Sequence, residues 1–214
     1  MIHYLKIILS ITFGFSILFF NGCEDSSDET VTPFVTFDIS LIDVKSSGNS
    51  DLSQPELVRF VTSSEGVMVN SKTNSLDFFG ISGTGLTMGT SSITLTDGAD
   101  SEASSIDVSV DNSIIAAVVT NGACAKGELY LVDANSKTKY GPYELGYNPD
   151  AVDIAVDNQY VVVVNEFDYG DGLDGGCESI GYPSVSIYDI SSGLGSATLV
   201  KNIPITHMVE GVFA

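Results

Sequence analysis

An all-β chain built from repeated four-stranded modules is the fold class that this sequence predicts, and three observations carry it. The first is an internal repeat: Ser105-Ile-Asp-Val-Ser-Val-Asp-Asn112 aligns with Ala151-Val-Asp-Ile-Ala-Val-Asp-Asn158, and Asp153 comes 46 positions after Asp107. The second is the shared order of segments after that motif. In each copy an apolar β-branched run, Ile114 to Val119 or Tyr160 to Val164, leads to a third segment ending near an Asp, Glu128 to Asp133 or Ser184 to Ile190. The third is that helical periodicity is missing beyond the N-terminal stretch. Repeats of roughly 40 to 50 residues holding four short strands are the signature of a β-propeller blade.

Each element can be justified from its residues. Asp-Asn closes the first hairpin of both copies, because both side chains bond nearby backbone and tolerate left-handed conformations. The unbroken run Val161 to Val164 reads as an inner strand covered on both faces by neighbouring blades. A weaker fourth strand falls at Tyr140 to Leu145. Asp189 comes 56 positions after Asp133, so the second copy carries about ten extra residues in one loop, where repeat proteins vary. Upstream, Leu57 to Thr62, Gly66 to Asn70, Ser75 to Phe79 and Ser92 to Leu95 supply another blade, with Gly80 to Gly89 as a loop-rich connection. Downstream, Glu210-Gly211-Val212 lies where Asp150-Ala151-Val152 opens the second copy. The expectation for 56–214 is a partial β-propeller of about three blades. A closed ring typically needs 4 to 8, so this is expected to be an N-terminal fragment of a larger one.

The N-terminus reads as an export address. Lys6 precedes an apolar stretch from Ile7 to Phe20, which at about 1.5 Å per residue reaches about 21 Å, short of the roughly 30 Å core of a bilayer. That favours a cleaved signal-peptide helix over a spanning one. Phe20-Asn21-Gly22-Cys23 resembles the lipobox of bacterial lipoproteins, with Phe20 where Leu is usual and Asn21 where Ala or Ser is usual. The resemblance implies a signal peptide over 1–22 and lipidation of Cys23. The alternative is an ordinary secretory signal in which Cys23 is incidental. Residues 23–55, opening with Glu24-Asp25-Ser26-Ser27-Asp28-Glu29 after the cysteine, read as an acidic, Ser-rich tether. An acidic stretch in that place also resembles that of lipoproteins on the outer face of the outer membrane.

Composition narrows the function classes. With 28 acidic against 8 basic residues the net charge is -20, which repels nucleic acid and anionic headgroups. Arg59 is the one arginine, and His3 and His207 are the two histidines. A multi-histidine zinc site and a cationic phosphoryl clamp are therefore excluded, and no catalytic residue can be named. Cys124 and Cys177 belong to the exported part, where pairing is the default, with two free thiols as the alternative. Glu166, Asp168, Asp171 and Asp174 stand among glycines in the extra loop. Such a loop can curl several oxygens around a calcium ion, and its alternative is a solvated acidic loop. Recurrence of Asp107 as Asp153 argues for a structural turn or an inter-blade hydrogen bond, since every blade must solve the same backbone problem.

The stretch from Asn148-Pro149-Asp150 through Asn165-Glu166, the acidic Gly-rich insert, and Ser184-Val-Ser-Ile-Tyr-Asp-Ile190 resembles the choice-of-anchor I propellers. These are similar to the broader surface-layer-type seven-bladed propellers. Phe167 and Pro183 depart from the family's usual glycines at those places. The resemblance implies an extracytoplasmic, anchored propeller that is sometimes joined to phosphoesterase domains. The expected function is a cell-surface binding or scaffolding module with a protein or glycan partner and no catalysis of its own. The alternative is the N-terminal part of a larger secreted hydrolase.

Overall fold

The computed structural model describes Asp43 and residues 54–122, 125–166 and 182–205, all within the compact unit Ser40–Ala214. Among the described residues, twelve strands form three four-stranded antiparallel sheets. The first holds β1 (Pro55–Phe60), β2 (Glu65–Asn70), β3 (Ser75–Ser82) and β4 (Gly85–Thr94). The second holds β5 (Glu102–Val108), β6 (Ile114–Thr120), β7 (Lys126–Asp133) and β8 (Thr138–Tyr147). The third holds β9 (Pro149–Ile154), β10 (Tyr160–Asn165), β11 (Ser184–Asp189) and β12 (Thr198–Pro204). Each sheet is an up-and-down meander in chain order, and β5 lies against both β1 and β9. This is a partial β-propeller of three blades. Among the described residues the one helical segment is a 3-10 turn at Leu194–Ser196.

Two seams between blades make the core, and β6 shows how. Its side chains alternate faces, so Ile115, Ala117 and Val119 pack against Val67, Val69, Leu76 and Phe78 of the first blade. Ile114, Ala116 and Val118 pack against Val152, Ile154, Val161 and Val163 of the third. A strand that is apolar throughout is thus the signature of a blade with a neighbour on each side. Polar clips cross the same seams. Lys137 Nζ bonds Glu65 Oε2 at 2.8 Å and sits 3.7 Å above the Phe78 ring. Tyr143 and Tyr188 lie with ring centroids 5.8 Å apart, and the Tyr188 hydroxyl donates to the Glu144 carbonyl.

The Asp-Asn turns form as the sequence predicts. Asn112 and Asn158 have φ of 60° and 56°, and their amides donate to Ser109 and Ala155 carbonyls at 2.8 Å in both copies. Asp107 makes the expected inter-blade contact: its Oδ2 accepts the Ile154 amide at 2.9 Å, and Arg59 Nε approaches Oδ1 at 3.4 Å. Two expectations need correction. Gly80 to Gly89 is not a loop-rich connection, because β3 and β4 run through it and pair Gly80 with Thr87. Nor is Val161 to Val164 an inner strand covered on both faces. It belongs to the second strand of its blade, burying Val161 and Val163 against the second blade while Val164 stays 42% exposed.

Candidate functional site

Hairpin polarity sets which strand ends meet at one end of the sheets. The starts of β1, β5 and β9 lie at that end, as do the end of β6 with the start of β7 and the end of β10 with the start of β11. Gln54-Pro55-Glu56 and Asn148-Pro149-Asp150 repeat a polar-Pro-acidic pattern there, with Pro55 opposite Asn70 and Pro149 opposite Asn165. Each asparagine accepts a backbone amide, Asn70 within its own blade and Asn165 across a seam. Asn70 Oδ1 accepts the Gln54 amide at 3.0 Å, and Asn165 Oδ1 accepts the Gly146 amide at 3.1 Å. Asn165, fully buried, also donates to Ser184 and Ser186 hydroxyls at 3.1 and 2.9 Å. Close approach fixes Gly127 as well, where a Cβ would fall 2.3 Å from Pro149 Cγ.

These anchors shape a cavity of about 240 Å³ lined by Glu56, Glu102, Ser104, Thr120, Asn148 and Asp150, drawn from all three blades. Its carboxylates are exposed. Ser71 Oγ and Gln54 Nε2 donate to Glu56 Oε1 at 3.0 and 3.1 Å. The two hydroxyls are committed to carbonyls, Ser104 to Pro149 at 2.8 Å and Thr120 to Glu102 at 3.3 Å. The lining therefore offers acceptors and negative charge. It suits cationic or hydroxyl-rich groups and repels anions. Among the described residues no group of three or more His, Cys, Asp or Glu side chains is arranged to hold a metal ion.

A second cavity, about 530 Å³, opens at the opposite end between the second and third blades, over Ser113, Asp133, Asn158, Gln159, Ile190 and Leu194. Hydrogen bonds dominate its rim. Ser109 and Ser113 hydroxyls, each at 2.7 Å, hold the Asp111 carboxyl far below the usual range. Ser136 backbone and side chain lower Asp133, and Ser191 hydroxyl and amide lower Asp189. Val110 and Val156 stand exposed at the tips of the equivalent turns beside it.

Of the sequence-predicted site residues, Glu166 is described: it is exposed, comes directly after β10, and its amide donates to the Asn148 carbonyl at 2.9 Å. That places it at the acidic end. Asp168, Asp171, Asp174, Cys124, Cys177, Cys23 and His207 lie outside the described residues. Glu56, Glu102 and Asp150 are not apparent as site residues from the sequence alone. The repeated polar-Pro-acidic triplet is a signal for two of them.

The sequence matches no family model and no curated protein. Solved structures do match in fold. A candidate 6-phosphogluconolactonase from Bacteroides fragilis is similar with TM-score 0.56 and 16% identity, covering 72% of this chain and 40% of that one. Its counterpart from Bacteroides uniformis gives TM-score 0.56 and 15% identity over 73% and 42%. A periplasmic gluconolactonase from Pseudomonas aeruginosa gives TM-score 0.52 and 12% identity over 72% and 40%. The chain thus spans about two fifths of the length of these propeller-like lactonases, and what it shares with them is the fold.

Proposed function

We propose that this protein is a bacterial lipoprotein of the outer-membrane surface, held through acylated Cys23, whose propeller of the choice-of-anchor I kind binds or scaffolds a protein or glycan partner. What supports the binding reading is the acidic end, where Glu56, Glu102 and Asp150 from three successive blades line one cavity. Carboxylates gathered on separate rigid strands attract an ammonium or a sugar hydroxyl. A disulfide between Cys124 and Cys177, which fall in sequence between β6 and β7 and between β10 and β11, would tie neighbouring blades. Glu166, Asp168, Asp171 and Asp174 are the residues that would hold a calcium ion. Titration of a lysine-rich peptide and of a glycan panel into the protein tests the reading. Binding of one of these probes that is lost in the E56Q/E102Q/D150N variant is expected, and no binding of any probe would overturn it. Metabolic labelling with an alkyne fatty acid tests the anchor, with label expected on the protein and absent from C23S.

A second reading is favoured by the solved neighbours, which are described as lactonases and are longer than this chain. In it the three blades are one arc of a larger secreted hydrolase. Measurable hydrolysis of a sugar δ-lactone by the intact protein would favour this reading over the first.

A further inference from the structure

The cavity of about 530 Å³ has a wall from each of two adjacent blades, with Ile114 and Asp133 from the second and Asp157, Ile190 and Leu194 from the third. Its floor is apolar. Ile114 and Ile190 are buried in the seam between these blades, and Leu194 packs against the same cluster. One edge is clipped across the seam, because the Asn158 side chain of the third blade donates to the Asp111 carboxylate of the second.

Donors and acceptors on the rim are unevenly matched. The Ser113 and Ser191 hydroxyls donate to Asp111 and Asp189 at 2.7 and 2.6 Å, which leaves them lone pairs to offer. The backbone amides of Ser113, Asn158, Gln159, Ser191 and Gly193 are all bonded within their own turns. Asp133 and Asp157 accept turn amides through Oδ1, and a carboxylate has about four acceptor sites, so both keep capacity for a further donor. Asn158 Oδ1 is buried and has no donor among the described residues. No cationic side chain is among the lining residues. The rim is therefore rich in acceptors and poor in donors. A neutral sugar, whose hydroxyls both donate and accept, would leave half of its bonds unmade there, and an anion would be repelled.

We infer that this cavity binds a basic side chain of a partner protein, an arginine or lysine flanked by apolar residues, with its aliphatic stem over Ile114, Ile190 and Leu194 and its charge against Asp133 and Asp157. Such a side chain fits both halves of the site. A guanidinium or ammonium brings donors and no acceptor, and the stem below it packs on apolar surface while the head keeps its polar contacts. Val110 and Val156, 72% and 83% exposed on the turn tips beside the cavity, supply contact for the flanking apolar residues. This site lies at the opposite end of the strands from Glu56, Glu102 and Asp150 and shares no lining residue with that cavity.

Fluorescence anisotropy of the full chain in mild detergent, corrected for peptide bound to micelles alone, tests the inference with two labelled peptides of equal charge, Leu-Arg-Leu and Gly-Arg-Gly. Saturable one-to-one binding of Leu-Arg-Leu is expected, with Gly-Arg-Gly about fivefold weaker for want of apolar contact. The D133N/D157N variant is expected to bind Leu-Arg-Leu about tenfold more weakly, while its side-chain oxygens still accept the turn amides. The E56Q/E102Q/D150N variant is expected to bind it as wild type does. Should D133N/D157N lose its β-sheet circular dichroism, L194S takes its place, since the Leu194 carbonyl and not its side chain holds the Tyr143 hydroxyl; its expected loss is about fivefold. Absence of saturable binding up to about millimolar peptide overturns the inference, as does equal affinity for the two peptides. Binding that survives in D133N/D157N and is lost in E56Q/E102Q/D150N also overturns it, and assigns the basic ligand to the acidic end instead.

Discussion

Asn165 shows how much one polar side chain can decide in an apolar seam. Its amide satisfies the Gly146 amide, the Ser184 carbonyl and two serine hydroxyls, joining the second and third blades with no water needed. Replacing it by Ala leaves the buried Gly146 amide unpaired, a penalty of about 1 to 3 kcal/mol, while the serine hydroxyls are free to rotate. N165A is expected to lose about 2 to 3 kcal/mol in urea unfolding. Asp107 is a second such residue, bonding both Arg59 and the Ile154 amide across two blades. D107A is expected to cost about 1 to 2 kcal/mol and D107N distinctly less, since the amide oxygen still accepts from Ile154. Equal losses in the two variants would mean that the charge rather than the backbone bond matters.

Strand identity was legible in the sequence, and strand environment was not. Ile114 to Val119 and Tyr160 to Val164 both advertise strands by their β-branched runs, and both are strands. Yet one is covered on both faces and the other on one, because coverage depends on which blades flank it, and no local pattern encodes that. Gly80 to Gly89 misled for a different reason. Its glycines and threonines resemble a loop, but Gly80 lies in β3 and Gly89, at φ 69°, sits where the β3–β4 register slips, so they mark a bulge. At the acidic end the sequence showed Glu166 and the neighbouring insert, while Glu56, Glu102 and Asp150 converge only through pairing of distant strands. The contrast between the two runs is measurable. V118A should cost about 2 kcal/mol through lost burial and a residual cavity, and V164A should stay within about 0.5 kcal/mol, by urea unfolding at a concentration where the protein is monomeric.

Charge acts on the molecule as a whole in two opposed ways. A net charge of -20 pushes the compact state apart, so added salt should raise the melting temperature at neutral pH by screening. Acid relieves the same repulsion. Against this, Asp111, Asp133 and Asp189 titrate below the usual 3.8 because serine hydroxyls and backbone amides stabilise their charged forms. A depressed folded pKa means that the unfolded chain binds protons more readily, so this contribution is complete above about pH 4 and is lost as pH falls through the folded values. The raw melting curve mixes both effects, but a difference separates them. D111A removes one stabilised carboxylate and leaves the global charge almost unchanged. It should melt below wild type at pH 6, and the gap should narrow steadily below pH 3.8, as wild-type Asp111 also becomes protonated. A gap that stayed constant down to about pH 2 would show that the Ser109-Asp111-Ser113 network stabilises the turn independently of the charge on its acceptor.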